Sequence, residues 1–206
     1  WPGGMPWPQV RKRSADCWKA VVENRMAMSD IPTIETARLR LTALTERHFD
    51  DYAAMLADPD STKWIGDGQP LDRTNAWRSL AMLLGHWQLR GCGMWALELK
   101  ETGEFLGRAG LMFPEGWPDL EMGWMLKPEH RHHGYATEAG EAILDFAWNT
   151  LHAKRVISLV RIGNEASDRV AERLGGEHIE DMDFYGCNTH VFAYYPPFRE
   201  PRRAWA

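Results

Sequence analysis

The sequence predicts a mixed α/β, or α+β, fold in which one central sheet carries helices on both faces. Three observations lead there. Strand-length runs that alternate or are wholly apolar are interleaved with segments of helical periodicity, in the order β-α-α-β-β-β-α-β-α-β-β. Helices that fall between strands in this way need both faces of a sheet to cover. The chain has 206 residues, 44% hydrophobic and 26% charged, which suits one domain with a sizeable core.

Regular patterning begins near Thr36. Arg38-Leu39-Arg40-Leu41-Thr42 alternates as a half-buried strand does. Thr45-Glu46 opens a helix whose Phe49, Tyr52, Ala53 and Leu56 share one face, and Asp58-Pro59 ends it. Asp67 to Pro70 is turn material. Asp72 is placed to cap a second helix with Trp77, Leu80, Leu84 and Trp87 inward, closed by Gly91. Met94 to Leu99, the Thr102-Gly103 turn and Phe105 to Phe113 read as a hairpin, and Leu120 to Leu126 as a further strand. A helix through Leu151 follows, with Ala139, Ile143, Phe146 and Ala147 inward. Next come a strand at Arg155 to Val160, a helix at Ala166 to Leu174 stopped by Gly175-Gly176, and strands at His178 to Phe184 and Thr189 to Tyr195.

The ends read differently. Trp1-Pro2-Gly3-Gly4-Met5-Pro6-Trp7-Pro8 sustains neither a helix nor a central strand, and Arg11-Lys12-Arg13 is a solvated charge run. Residues 1–30 are expected to be an extension or tag-like leader, disordered except for a short helix near Cys17 to Met26. Residues 31–198 are expected to form the domain, and 199–206 a tail.

The net charge of −5 argues against general nucleic-acid binding, which favours clustered basic surface, but leaves room for a local basic pocket. No window approaches the ~18 apolar residues of a membrane helix, so no membrane partner is expected. Cys17, Cys92 and Cys187 are widely spaced and odd in number, as reduced thiols in a cytoplasmic setting are. Most of the eleven tryptophans are expected in the core; Trp64, Trp77, Trp87 and Trp95 are alternatively walls of an apolar acceptor pocket.

Arg131-His132-His133-Gly134-Tyr135-Ala136-Thr137-Glu138-Ala139-Gly140 joins a strand to a helix, with a glycine at the bend and small residues in the first turn. Such a loop turns backbone N–H groups toward one point, where the positive helix end adds its pull on a phosphate-like anion. An ordinary tight turn would read the same way. His130, His132 and His133 invite a metal, but adjacent residues point in different directions and no second cluster has ligand spacing, so no metal is expected. An ATP enzyme would be expected to carry GxxxxGK[ST], which is absent from the sequence.

These segments together resemble the GNAT superfamily of acyl-CoA N-acyltransferases over roughly residues 34–195. Thr36 to Leu41, Glu121-Met122-Gly123-Trp124-Met125-Leu126, Gly134 to Ala139, and Asn164-Glu165-Ala166-Ser167 with Val170 to Gly175 are similar to segments of its ribosomal-protein-alanine N-acetyltransferase branch, the RimJ/RimL-like one. Gly176 departs from the family's usual aromatic, which is expected to loosen that turn; His132 stands where Gly is frequent. The resemblance implies a mostly antiparallel central sheet and acetyl-CoA as co-substrate. It implies that backbone groups from His132 through His133, Gly134, Tyr135 and Ala136 to Thr137 face the pyrophosphate, with Arg131 or His133 adding charge. Trp124, Met125 and Leu126 would meet the pantetheine arm where their strand splays from its neighbour, with Gly123 placed either for a bulge there or for packing against Trp117. Asn164 would hydrogen-bond that arm, and Arg169 or Arg173 would reach the nucleotide's 3′-phosphate, unless they form a solvated helix face.

Two residues are candidates for the chemistry. Glu121, a carboxylate in an apolar strand, is either a base for the incoming ammonium or a strand-edge residue paired with an Arg. Ser167 either protonates the departing thiolate, a task that Tyr194 or Tyr195 would otherwise take, or belongs to a plain Asn164 helix cap. No cysteine has an activating neighbour, which favours direct attack over an acyl-enzyme. The expectation is therefore an N-acetyltransferase acting on a protein N-terminus or small amine, with an acyl-CoA-binding sensor or accessory protein as the alternative. Acceptor choice would belong to Trp64 to Trp87 and the last strands. The sequence leaves monomer and homodimer both open.

Overall fold

The computed structural model describes residues 31–197. The expected leader, its short helix and the tail lie outside them. Among the described residues eight strands form one sheet: β1 (Ile34–Glu35), β2 (Leu39–Ala43), β3 (Met94–Leu99), β4 (Phe105–Met112), β5 (Glu121–Leu126), β6 (Val156–Arg161), β7 (Glu177–Phe184) and β8 (Cys187–Tyr194). Their spatial order is β1-β2-β3-β4-β5-β6-β8-β7. Every neighbouring pair is antiparallel except β5 with β6. The helices are α1 (Phe49–Ala57), α2 (Pro59–Thr62), α3 (Arg73–Arg90), α4 (Tyr135–Asn149) and α5 (Glu165–Arg173). None of the described helices is long and apolar enough to cross a membrane.

Strand alternation sends successive side chains to two separate cores. Trp95 and Leu97 of β3 join Leu39, Leu41, Leu106 and the α4 residues Ala139, Ile143 and Ala147 on one face. Met94 and Ala96 join Tyr52, Leu56, Leu80 and Leu83 of α1 and α3 on the other. Polar capping fixes where helices start. Asp72 accepts the Asn75 N–H at 2.7 Å ahead of α3, and Gly91 closes that helix at φ 70°.

Several details depart from the sequence reading. Trp77 does not face inward: it is 45% exposed and lays its edge on Phe49, because the buried stripe of α3 runs through Ala76, Leu80, Leu83 and Trp87. No bulge forms at Gly123, since β4 and β5 pair without a shift from Met112↔Glu121 to Gly107↔Leu126. Gly176 does not loosen its turn. A Cβ there would meet the Ala171 carbonyl and the Tyr194 ring at 2.9 Å, so glycine is what lets that ring pack. Trp87 and Trp95 belong to the core, their indole N–H groups donating to Met94 O and Pro32 O at 3.1 and 2.7 Å.

Candidate functional site

The site begins where two strands part. β5 and β6 form a single residue pair, Glu121↔Ile157, and the Ile157 N–H donates to Leu120 O at 2.9 Å. Beyond that point a side chain replaces the ladder: the Ser158 hydroxyl donates to Met122 O at 2.7 Å. At the far end of β5, Arg131 Nε donates to Leu126 O at 3.2 Å. By strand alternation Trp124 turns its N–H and C=O to this same open edge. A hydrogen-bonding backbone edge therefore lines a gap, which suits an amide-bearing chain.

The gap belongs to a cleft of about 380 Å³ lined by Trp124, Met125 and Leu126. Arg131, His132, Gly134, Tyr135, Ala136 and Thr137 line it too, as do Asn164, Ser167 and Arg169. The first backbone bond of α4 runs from the Glu138 N–H to Gly134 O at 3.0 Å. The N–H groups of Tyr135, Ala136 and Thr137 precede it and point out of the helix end, where the dipole is positive. That is a fitting cradle for a pyrophosphate. Gly134 holds φ 80°, and a Cβ there would meet Arg38 only at an ordinary 3.5 Å, so glycine serves the backbone conformation. His132 shares the left-handed region at φ 65°.

Two predicted residues stand differently. Arg131 acts as a tie, its guanidinium also reaching Ser61 Oγ at 3.0 Å. His133 is absent from the cleft wall; its carbonyl accepts Arg38 Nη1 at 3.0 Å and its ring stacks on Tyr135 at 5.7 Å. His130 is 2.9 Å from Glu104.

Glu121 sits at the fork but not among the cleft-lining residues. The residue as a whole is half-buried while its carboxyl group is enclosed. Trp117 Nε1 and the Leu159 N–H both donate to it. Burial pushes its carboxyl above the ordinary carboxylate range; Trp117, the Arg108 guanidinium and Leu159 pull the other way without cancelling this. Arg108 Nε is buried and without a hydrogen-bond partner among the described residues, while the charge of its guanidinium acts on the Glu121 carboxyl.

Ser167 and Asn164 engage each other. Asn164 Nδ2 donates to Ser167 Oγ at 3.0 Å, and Asn164 Oδ1 accepts the Ser167 N–H at 3.4 Å. The helix cap thus exists, and it sets both side chains on the cleft wall. Tyr194 and Tyr195 are not on that wall. Tyr194 is buried, donates to Ser158 Oγ at 3.1 Å, and is pushed up to about 12 by that burial. Arg169 reaches Glu165 at 3.3 Å, and Arg173 lies beside it on the cleft. Burial also pushes the Cys92 thiol up to about 11, the opposite of an activated nucleophile.

Sequence reasoning missed two contributors. Asp60, Ser61, Lys63 and Ile65, from α2 and the turn after it, also line the cleft, beside Trp64, which was expected as a pocket wall. Asp58-Pro59 was their signal, since Asp58 accepts the Asp60 and Ser61 N–H groups as the cap of α2 with proline at its start. Glu138 was the other. It accepts Thr36 Oγ1 at 2.6 Å and the Arg38 N–H and Nε at 2.7 Å, and so braces the start of α4 from the turn between β1 and β2.

The chain is similar to several known proteins. The protein YkkB of Bacillus subtilis (strain 168), itself uncharacterized, is 32% identical over 148 residues, 68% of this chain and 82% of its own. An acetyltransferase structure from Agrobacterium tumefaciens str. C58 matches at 34% identity with a TM-score of 0.74, covering 84% of this chain and 99% of that one. The fold extends to Vibrio cholerae spermidine N-acetyltransferase, solved with CoA and spermine, at 14% identity, TM-score 0.65, and 77% and 96% coverage. The family model described as "Acetyltransferase (GNAT) domain" matches residues 38–177, and the chain belongs to that family.

Proposed function

We propose that the protein is an N-acetyltransferase that moves the acetyl group of acetyl-CoA to a primary amine, a protein N-terminus or a small molecule, by direct attack within a ternary complex. One observation carries the reading: the β5/β6 fork and the α4 cradle open into the same cleft. The α4 N–H groups hold the pyrophosphate oxygens, and the Trp124 edge holds the amide-bearing arm. Glu121 takes a proton from the incoming ammonium, directly or through water, freeing its lone pair for the thioester carbonyl. The C–N bond forms and the C–S bond breaks; Ser167 Oγ delivers a proton to the departing sulfur, and the second proton that the nitrogen sheds restores the Ser167 hydroxyl. A carboxyl raised by burial is a stronger base than an exposed one, which suits this task.

The test incubates the pure protein with acetyl-CoA and a panel of amines and peptides while free thiol is followed. Thiol release that depends on one class of amine supports the enzyme and names its acceptor. Acetyl-CoA binding with no thiol release across the panel favours a sensor or accessory protein.

A further inference from the structure

The hairpin of β7 and β8 gathers a cluster outside the cleft. His178 Nε2 stands 2.7 Å from Asp181 Oδ1, and His190 Nε2 stands 3.9 Å from the same oxygen. The three ligand atoms lie within 4.8 Å of one another, and the two imidazole rings are 5.0 Å apart. Ligands at ~2.1 Å from a tetrahedral ion stand about 3.4 Å apart. Small rotations of surface side chains would close the remaining difference.

The backbone goes out of its way to make this cluster. His178 and Asp181 are three residues apart, so a regular strand would send them to opposite faces. A bulge between His178 and Glu180 rephases β7, setting His178 opposite Phe192 and Asp181 opposite His190. Phe192 and His190 share a face of β8, and so the three ligand candidates come to one face.

Asp168 supplies the second argument. Its Oδ1 lies 3.1 Å from His190 Nδ1. A carboxylate only accepts, so Nδ1 carries the proton, and in a neutral ring Nε2 presents a lone pair. The 3.9 Å from Nε2 to Asp181 Oδ1 is too long for a hydrogen bond and close to the spacing of two ligands of one ion. An imidazole held by a carboxylate on its other nitrogen is also how metal-binding histidines are oriented.

We propose that His178, Asp181 and His190 bind a divalent transition ion of zinc-like chemistry, with Asp168 as the carboxylate that positions His190. Two imidazoles and one carboxylate favour such an ion over magnesium or calcium, which prefer all-oxygen ligands. Asp168 adjoins Ser167 on α5, so its contact with His190 links the ion site to the helix that lines the cleft.

The experiment titrates zinc sulfate into the full chain, without a histidine tag and stripped by a chelator, against a competing chromogenic zinc indicator. One equivalent bound at micromolar or tighter affinity is expected, with a rise in melting temperature. H178A and H190A should each abolish that tight equivalent, and D168N should weaken it about 10–100-fold. H130A, which removes a different histidine–carboxylate pair, should leave it unchanged. An acetyl-CoA-induced melting shift, kept in every variant, reports that they fold. No tight equivalent, a tight equivalent that survives H178A/H190A, or magnesium binding as tightly as zinc would each overturn the proposal.

Discussion

Glu138 accepts both the backbone N–H and the Nε of Arg38, each at 2.7 Å, across a sequence separation of 100 residues. Arg38 in turn donates to His133 O and lies 4.5 Å over the Tyr135 ring. The pair therefore ties the turn between β1 and β2 to both sides of the bend at Gly134, and holds the start of α4 from outside the cleft.

Glu138→Gln should loosen that hold. Burial pushes the Glu138 carboxyl upward, but bonds from Thr36 and Arg38 outweigh it and leave the group below its usual range. A depressed folded value means that this stability is present above the unfolded carboxyl range and is lost as pH falls through the folded value. Arg38 is 46% exposed, so solvent discounts its charge and the variant should cost only about 1–2 kcal/mol. Thermal melts at neutral pH should show a drop of roughly 3–6 °C. Melts at strongly acid pH should show the two proteins converging; a constant gap across pH would remove ionisation as the cause.

Gly134→Val and Gly134→Asn separate backbone conformation from cleft volume. At φ 80° a β-branched residue is strained by ~1–2 kcal/mol, whereas Asn tolerates this region. Valine should also press on the Arg38 guanidinium that steadies the bend, and lower acetyl-CoA affinity at least tenfold, far more than it lowers the melting temperature. Asn should fold like the parent and bind acetyl-CoA within a few-fold. Isothermal titration and melting of both variants check this; equal losses in the two would place the requirement on side-chain volume instead.

What sequence could read here was whatever depends on local period and local caps. The α4 stripe of Ala139, Ile143 and Ala147, the Asp72 cap and the hairpin at Thr102-Gly103 all follow from residues within a few positions of each other. The fork at Glu121↔Ile157 and its cleft were expected only through family resemblance, because strand divergence has no local signal. The Arg38–Glu138 brace was illegible for the same reason: a glutamate in a first helical turn already has a sufficient local explanation in the helix dipole. Glu98, inside an apolar strand, looks costly until the fold brings His48 Nε2 to 2.8 Å and Arg47 to 2.6 Å. Three-residue spacing hid His178 and Asp181, since it makes a shared face only at a bulge.

Ser167→Ala tests the protonation of the leaving sulfur against the capping contact. If Ser167 Oγ serves the chemistry, the single-turnover rate should fall about 10–100-fold while acetyl-CoA affinity stays within a few-fold. Ser167 Oγ also accepts Asn164 Nδ2, so a purely structural role predicts the reverse pattern, weakened affinity with an unchanged single-turnover rate. Rapid-quench measurement beside direct binding distinguishes them.

Glu121→Gln separates catalysis from stability most sharply, because the two should move in opposite directions. The folded carboxyl is raised by burial, so the native state holds its proton to higher pH than the unfolded chain does. Stability is therefore given up as pH climbs from the unfolded carboxyl range through the folded value, and a neutral amide does not incur that loss. Gln can still accept from Trp117 Nε1 through its carbonyl oxygen and carries no buried charge, so the melting temperature at neutral pH should hold or rise. Turnover should fall about 10²–10⁴-fold, the usual worth of a positioned base, and the rise of rate with pH should flatten. A variant that melts normally and keeps the parent's pH profile would show that the carboxylate at the fork is not the base.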